Sequence, residues 1–282
     1  MKKDRSVYQE RYDQLLSLGY CVFPQVLSEG LLDAIRGQTE ALCTALPAED
    51  NDRHRSQGTM LSAMSIPLLA ELIAWRPALA ILEGMGFDHA TFTDGYIISK
   101  FPQSPRLFWH YDWFAWSDPS AYAPKPQQIF FMYYLSDTSV SNGCLRVLPG
   151  SHLKHNPVHD FIGNPHEESL ARAEDLSHPA FSTRSDEVDV PVNAGDLVIG
   201  DARMLHAAHA NSSNEWRTVI TLWFQPDFPS LPEPVQAQMV KKVHAIPATW
   251  PSEAAAKVRA LQPVYTGNEI PLKRELYRRP KN

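Results

Sequence analysis

The chain has 282 residues, 44% hydrophobic and 21% charged, proportions that support a sizeable buried core and exclude disorder as the main state. Its longest apolar run, Ile129 to Leu135, is far shorter than the roughly 18 residues of a bilayer span. The opening Met1-Lys2-Lys3-Asp4-Arg5 leads into polar residues where a signal peptide has an apolar block, so a cytoplasmic protein is expected.

Twenty-six basic against 32 acidic residues, net -6, leave no electrostatic footprint for nucleic acid. The one cationic cluster, Lys273-Arg274 to Lys281, reads as a solvated terminus. Cys21, Cys43 and Cys144 are odd in number and scattered without a C-x-x-C. They suggest neither a disulfide framework nor a thiolate zinc site.

In chain order, Tyr8 to Leu18 has helical spacing and ends at Gly19, a C-cap residue. Tyr20 to Phe23 reads as a short strand. Ser28 is placed to cap a helix whose apolar positions are Leu31, Leu32, Ile35 and Leu42. After a polar stretch from Pro47 to Thr59, a third helix is expected over Pro67 to Gly84, bent or split by Pro77. From residue 91 the apolar period becomes two. Strands are expected around Tyr96, Ile98 and Lys100, around Phe108, His110 and Asp112, at Ile129 to Leu135, Cys144 to Leu148, Val188 to Val192 and Leu197 to Ile199, and at Arg217 to Gln225. Turns fall at Asn142-Gly143, Pro149-Gly150 and Asn193 to Asp196.

Short strands behind a helical N-terminus imply a mainly β sandwich or jelly roll with flanking helices. Gly150 to Glu187 lacks periodicity and is a candidate lid. Its histidines, His152, His155, His159, His166 and His178, are expected to be solvated loop residues. The prolines of Pro226 to Pro234 carry the chain off the sheet toward a helix near Ser252 to Leu261. The organisation expected is one domain over 1–282: helical support over 8–85, a β core over about 91–225, and an extension over 226–282.

In His110-Tyr111-Asp112, strand alternation puts the imidazole and the carboxylate on one face. Gly195-Asp196 leads through Leu197 to Ile199 to His206. Together His110, Asp112 and His206 make two imidazoles and one carboxylate, the set that leaves three adjacent positions open in non-haem Fe(II) oxygenases. Those positions suit a bidentate 2-oxo acid plus dioxygen. Arg217 opens the alternating strand and points inward with Val219, Thr221 and Trp223, where a buried guanidinium needs an anion such as a ligand carboxylate.

His110-Tyr111-Asp112, the turn from Asn142-Gly143-Cys144-Leu145 to Pro149-Gly150-Ser151-His152, Gly195-Asp196 leading to His206, and Arg217 together resemble the phytanoyl-CoA dioxygenase family of Fe(II)- and 2-oxoglutarate-dependent oxygenases. Leu18 to Pro24 is similar to that family's opening strand. The resemblance implies a double-stranded β-helix, cupin-like, with an N-terminal helical layer. It implies His110, Asp112 and His206 as iron ligands and catalytic residues, and Arg217 on the distal carboxylate of 2-oxoglutarate. Lys100 enters as a second co-substrate contact.

The implied reaction consumes O2 and 2-oxoglutarate, releases succinate and CO2, and hydroxylates or otherwise oxidises an unactivated C–H bond of a small molecule, with ascorbate supportive in vitro. Asp112 occupies the position that related halogenases vacate for halide. Trp113, Phe114 and Trp116, just after the ligand strand, are expected to wall an apolar substrate cavity. His209 is read as a decoy beside His206.

Two alternatives stay open: a non-catalytic jelly-roll ligand-binding homologue, and a cupin-type metalloenzyme that does not use 2-oxoglutarate. Oligomeric state and primary substrate are not legible.

Overall fold

The computed structural model describes residues 2–162 and 167–278. Two antiparallel sheets face one another. The larger runs β1 (Tyr20–Phe23), β8 (Leu197–Asp201), β5 (Ile129–Tyr134), β10 (Arg217–Gln225), β3 (Thr91–Lys100) and β2 (Leu61–Ser62) in spatial order; the smaller runs β4 (Leu107–His110), β9 (His206–Ala208), β6 (Leu145–Val147) and β7 (Val188–Val190). This is the expected double-stranded β-helix with flanking helices.

Alternation sorts each strand of the larger sheet between two environments. Ile97, Phe131, Tyr133, Ile199, Ile220, Leu222 and Phe224 turn outward and join Leu15, Leu32, Ile35, Leu72 and Leu82 of the helical layer in one core. Each fully buried aliphatic or aromatic side chain there contributes about 1.5–3 kcal/mol. Ile98, Met132, Val219, Thr221 and Trp223 turn inward, onto a cavity between the sheets.

The helical layer follows its sequence signals. Helix Lys2–Leu18 ends at Gly19, whose φ is +92°, and a Cβ at that position would lie 2.8 Å from both His152 Nδ1 and Met204 Sδ; the turn therefore requires glycine. Ser28 caps helix Glu29–Thr44 by accepting from the Leu31 N–H. Pro77 splits the third helical region into Leu69–Ile73 and Arg76–Gly84, seated in the first turn of the second piece where its missing N–H is harmless.

Several expectations need correction. The polar stretch after Pro47 contains a helix, Ala48–Arg53, and the proline-rich exit from the sheet runs into another, Glu233–Lys242, with Pro234 in its first turn. The described residues of the 150–187 segment do not cover the central cavity. Among its described residues none lines the central cavity, and it is pinned elsewhere: Ala171 O accepts from Ser56 N, Ser182 O from Trp109 Nε1, and Leu16 O lies 3.0 Å from His152 Nε2. His152 and His159 are buried rather than solvated; His155 is exposed, and His166 lies outside the described residues.

The described part of the C-terminal cationic cluster, up to Arg278, is not a free tail either. Arg278 is buried, its guanidinium donating to the carbonyls of Ser151 and Leu153, while Arg274 lines the cavity.

Candidate metal and co-substrate site

The strand hydrogen bonding stops at His110, and Asp112 follows beyond it, so the two do not sit on one regular strand as their alternation suggested. A register irregularity between Leu107 and His110 puts Leu107, not Phe108, on the cavity beside His110. The chain then turns, and the backbone N–H groups of Asp112 and Trp113 both donate to Ala202 O, at 2.8 and 2.9 Å.

Ala202 belongs to the turn that delivers His206. In that turn Arg203 pairs with Asp201 at 2.6 Å, both side chains almost wholly buried, and Met204 N donates to Asp201 O. The Arg203 guanidinium outweighs burial and holds the Asp201 carboxyl below the usual carboxylate range. The Pro149-Gly150-Ser151-His152 turn braces the same loop: Leu205 N donates to Ser151 Oγ at 2.9 Å, and Leu148 N to Leu205 O. That motif therefore shapes the site without entering it.

His110 and His206 are directly paired across β4 and β9, with ring centroids 4.1 Å apart. Asp112 Oδ1 lies 3.8 Å from His110 Nε2 and Oδ2 lies 3.9 Å from His206 Nε2; the three ligand atoms fall within 4.8 Å of one another. Each ring has Nδ1 at 3.1 Å from a backbone carbonyl, Phe108 O for His110 and Met204 O for His206. An Nδ1–H donated to a carbonyl leaves the Nε2 lone pair facing inward, as a metal ligand requires. Trp223 Nε1 donates to Asp112 Oδ2 at 2.9 Å and fixes the carboxylate. The set could hold one divalent cation, and no thiolate accompanies it.

The cavity holding these groups measures about 290 Å³. Arg217 lines it and is 3% exposed, its guanidinium carbon 5.8 Å from the Tyr134 ring centroid. Its Nε has no hydrogen-bond partner, and among the described residues no carboxylate pairs with it. Burial pushes its pKa down. Thr221 Oγ1 is likewise buried and unpartnered on the same wall. Arg217 Nε and Thr221 Oγ1, buried without partners in one cavity, could receive an anion, since no carboxylate among the described residues is paired with Arg217.

Other expected contacts are not brought to the cavity. The Lys100 ammonium is fully buried but donates to Ser56 O at 2.7 Å and Pro105 O at 2.6 Å. Backbone carbonyls consume it, and Lys100 does not line the cavity. Burial, reinforced by the Arg217 charge, pushes its pKa well down. Trp113, Phe114 and Trp116 are at most 1% exposed and pack with Phe108, Val158, Phe181 and Val235 in a separate core. They form packing behind the ligand turn, because Asp112 and not the following aromatics marks where the chain leaves the cavity.

The aromatic cavity walls are instead Tyr96, Tyr134 and Trp223. Sequence reading placed Tyr96 and Trp223 on inward faces but assigned them no role. It missed Asp94, Lys242 and Arg274, which converge on the cavity from β3, from helix Glu233–Lys242 and from the C-terminal segment. The Lys242 ammonium sits 4.0 Å from the Phe114 ring centroid. Burial lowers the Lys242 pKa against the pull of Asp94, and burial raises Asp94 against the pull of Lys242 and His244.

The comparisons agree with this architecture. A family model described as phytanoyl-CoA dioxygenase (PhyH) matches residues 16–219. A Dictyostelium discoideum protein called phytanoyl-CoA dioxygenase domain-containing protein 1 homolog is 33% identical over 92 residues, spanning 33% of this chain and 32% of that protein. The ectoine dioxygenase of Nocardia farcinica is 22% identical over 253 residues, covering 83% of this chain and 84% of its own length. Among solved structures, the epimerase SnoN in complex with Fe3+, alpha ketoglutarate and nogalamycin RO matches with a TM-score of 0.57 and 20% identity, over 78% of this chain and 84% of that one; it shows the shared fold. With the family model covering more than half of the chain, the protein belongs to the phytanoyl-CoA dioxygenase family and with it to the non-haem iron, 2-oxoglutarate-dependent oxygenases.

Proposed function

We propose that His110 Nε2, Asp112 and His206 Nε2 hold Fe(II), that Arg217 binds the distal carboxylate of 2-oxoglutarate, and that the enzyme oxidises an unactivated C–H bond of a small organic molecule. Succinate and CO2 are released, and hydroxylation is the outcome the retained Asp112 ligand favours over halogenation. The observation that carries this reading is the buried, unpaired Arg217 in the same cavity as the His–Asp–His cluster. Iron and 2-oxoglutarate, once bound, supply with dioxygen the oxidising power that no side chain has.

The chain's own residues bind and orient. Trp223 Nε1 holds Asp112 so that its carboxylate faces the two imidazoles. Arg217 and the Thr221 hydroxyl offer donors to a carboxylate, and the Tyr134 ring screens the guanidinium from water. Ile98, Leu107, Met132, Leu145 and Val219 keep the wall apolar and limit access of water.

Lys242 and Arg274 line the cavity beside Asp94, and the Lys242 ammonium also feels the Asp112 carboxylate, whose charge a bound iron would offset. This excess of positive charge favours a substrate carrying a carboxylate or phosphate, whose anion would anchor there while a carbon faces the metal. The test is succinate formation with Fe(II), ascorbate, O2 and 2-oxoglutarate against a panel of small carboxylates, phosphates and neutral analogues. Stimulation by anionic members, lost when 2-oxoglutarate is omitted, is expected. Turnover without 2-oxoglutarate would favour a cupin-type enzyme, and ligand binding with no succinate from any compound would favour a binding protein.

A further inference from the structure

We propose that the outer face of the smaller sheet carries a second metal site, for a thiophilic divalent cation such as Zn2+, formed by Cys144, Asp189 and His209. The three residues come from neighbouring strands. Cys144 immediately precedes β6, Asp189 is in β7, and His209 immediately follows β9, with β6 between the other two. His209 N donates to Cys144 O at 3.0 Å, extending the β6–β9 ladder by one pair, and Asp189 sits opposite Arg146. Leu145 and Ala208, one step along, line the cavity. Alternation therefore turns Cys144, Asp189 and His209 away from it, so this site and the proposed iron site lie on opposite faces of one sheet.

One ligand atom from each residue lies within 4.8 Å of the others, and His209 Nε2 is already 2.6 Å from Asp189 Oδ1. Tetrahedral Zn2+ with sulfur, nitrogen and oxygen ligands spaces its donors at about 3.5 Å, within reach of small side-chain rotations. The burial is graded: Cys144 is fully buried, the His209 side chain is 20% exposed and that of Asp189 41%. The thiol forms a floor and solvent reaches the open side, where water can complete the shell.

Charge also fits. Arg146, on the same face, is matched by Glu187 and also donates to Ser182 O. A thiolate, a carboxylate and a divalent cation then sum to neutrality. Without metal the thiol is inert, since burial and the Asp189 charge push its pKa up to about 11 despite Arg217 and Arg146. Binding forms the sulfur–metal bond and releases the thiol proton to solvent, while the metal replaces the His209–Asp189 hydrogen bond and the proton on His209 Nε2 leaves through solvent, the ring keeping its proton on Nδ1. A cation held there would clamp the three strands behind His206.

Cobalt(II) titration of the full, metal-free chain tests this, because only a thiolate ligand adds an intense near-ultraviolet charge-transfer band, whereas the His–Asp–His set contains none. The wild type is expected to develop that band, saturating with roughly one equivalent per chain at this site, and Zn2+ should bleach it. Cys144→Ser should abolish it, His209→Ala should weaken cobalt binding at this site about tenfold or more, and His206→Ala should leave it intact. The proposal is overturned if the wild type shows no band, if the band survives Cys144→Ser and so belongs to Cys21 or Cys43, or if it is unchanged in both His209→Ala and Asp189→Asn.

Discussion

Trp223 donates its indole N–H to Asp112 Oδ2 at 2.9 Å, so a residue near the end of β10 sets the orientation of a proposed metal ligand in the turn that follows β4. Partners of this kind typically contribute 10- to 100-fold to metal affinity. Trp223→Phe keeps the ring and removes the donor. Its Fe(II) dissociation constant is expected to rise about tenfold or more, with the affinity of the metal-loaded enzyme for 2-oxoglutarate little changed. An unaltered iron affinity would show that the hydrogen bond only packs the strand.

The proposed role of Lys242 and Arg274 is to hold substrate rather than co-substrate. Lys242→Met retains the aliphatic stem and deletes the charge, and is expected to raise KM for an anionic substrate about tenfold, the scale of one charge-assisted contact, while leaving KM for 2-oxoglutarate unchanged. A variant that weakened both equally would place Lys242 at the co-substrate instead.

Trp116 belongs to packing rather than to a substrate wall. Trp116→Ala is expected to cost about 3–5 kcal/mol of stability through the cavity it leaves, read as a fall in the urea midpoint, with product distribution unchanged. Unchanged stability with altered products would restore the substrate role.

His159 gives the stability a dependence on acid. Burial, with the Arg278 charge second, lowers its pKa to about 3, against roughly 6.5 in an unfolded chain. Between these values the unfolded state binds a proton that the native state refuses. Stability contributed by the neutral ring is present above pH of about 6.5 and is lost progressively as pH falls toward about 3. His159→Gln should flatten that limb of a plot of urea midpoint against pH; an identical slope in both proteins would contradict the assignment.

Much of this was legible because strand alternation and local motifs are local signals. The inward face of β10, with Arg217, Val219, Thr221 and Trp223, follows from period two alone. His110, Asp112 and His206 converge as their residue types suggested, although the geometry differs: the strand ends at His110 and a turn hung on Ala202 O places Asp112. What local patterns do not encode is which distant segment covers a cavity. Lys242 and Arg274 arrive there only through long-range packing, visible in the bond from Leu272 N to Pro234 O and in that from Glu275 N to Phe114 O. Lys100 was misplaced for the same reason, since the loops carrying Ser56 and Pro105 capture its ammonium before it can face the cavity. Trp113, Phe114 and Trp116 carry composition without direction, and once the strand hydrogen bonding stops, alternation no longer says which way they point.

The most direct measurement is an anaerobic titration of Fe(II) and then 2-oxoglutarate into the metal-free protein, following the visible charge-transfer absorption of a chelated 2-oxo acid. The wild type and His209→Ala should both develop the band. His206→Ala should not develop it at all, and Arg217→Met should require about 10- to 100-fold more 2-oxoglutarate, as loss of a charge-assisted anchor predicts. A band that persists undiminished in His206→Ala, or a 2-oxoglutarate requirement unmoved by Arg217→Met, would contradict the convergence of these residues on one metal and one co-substrate.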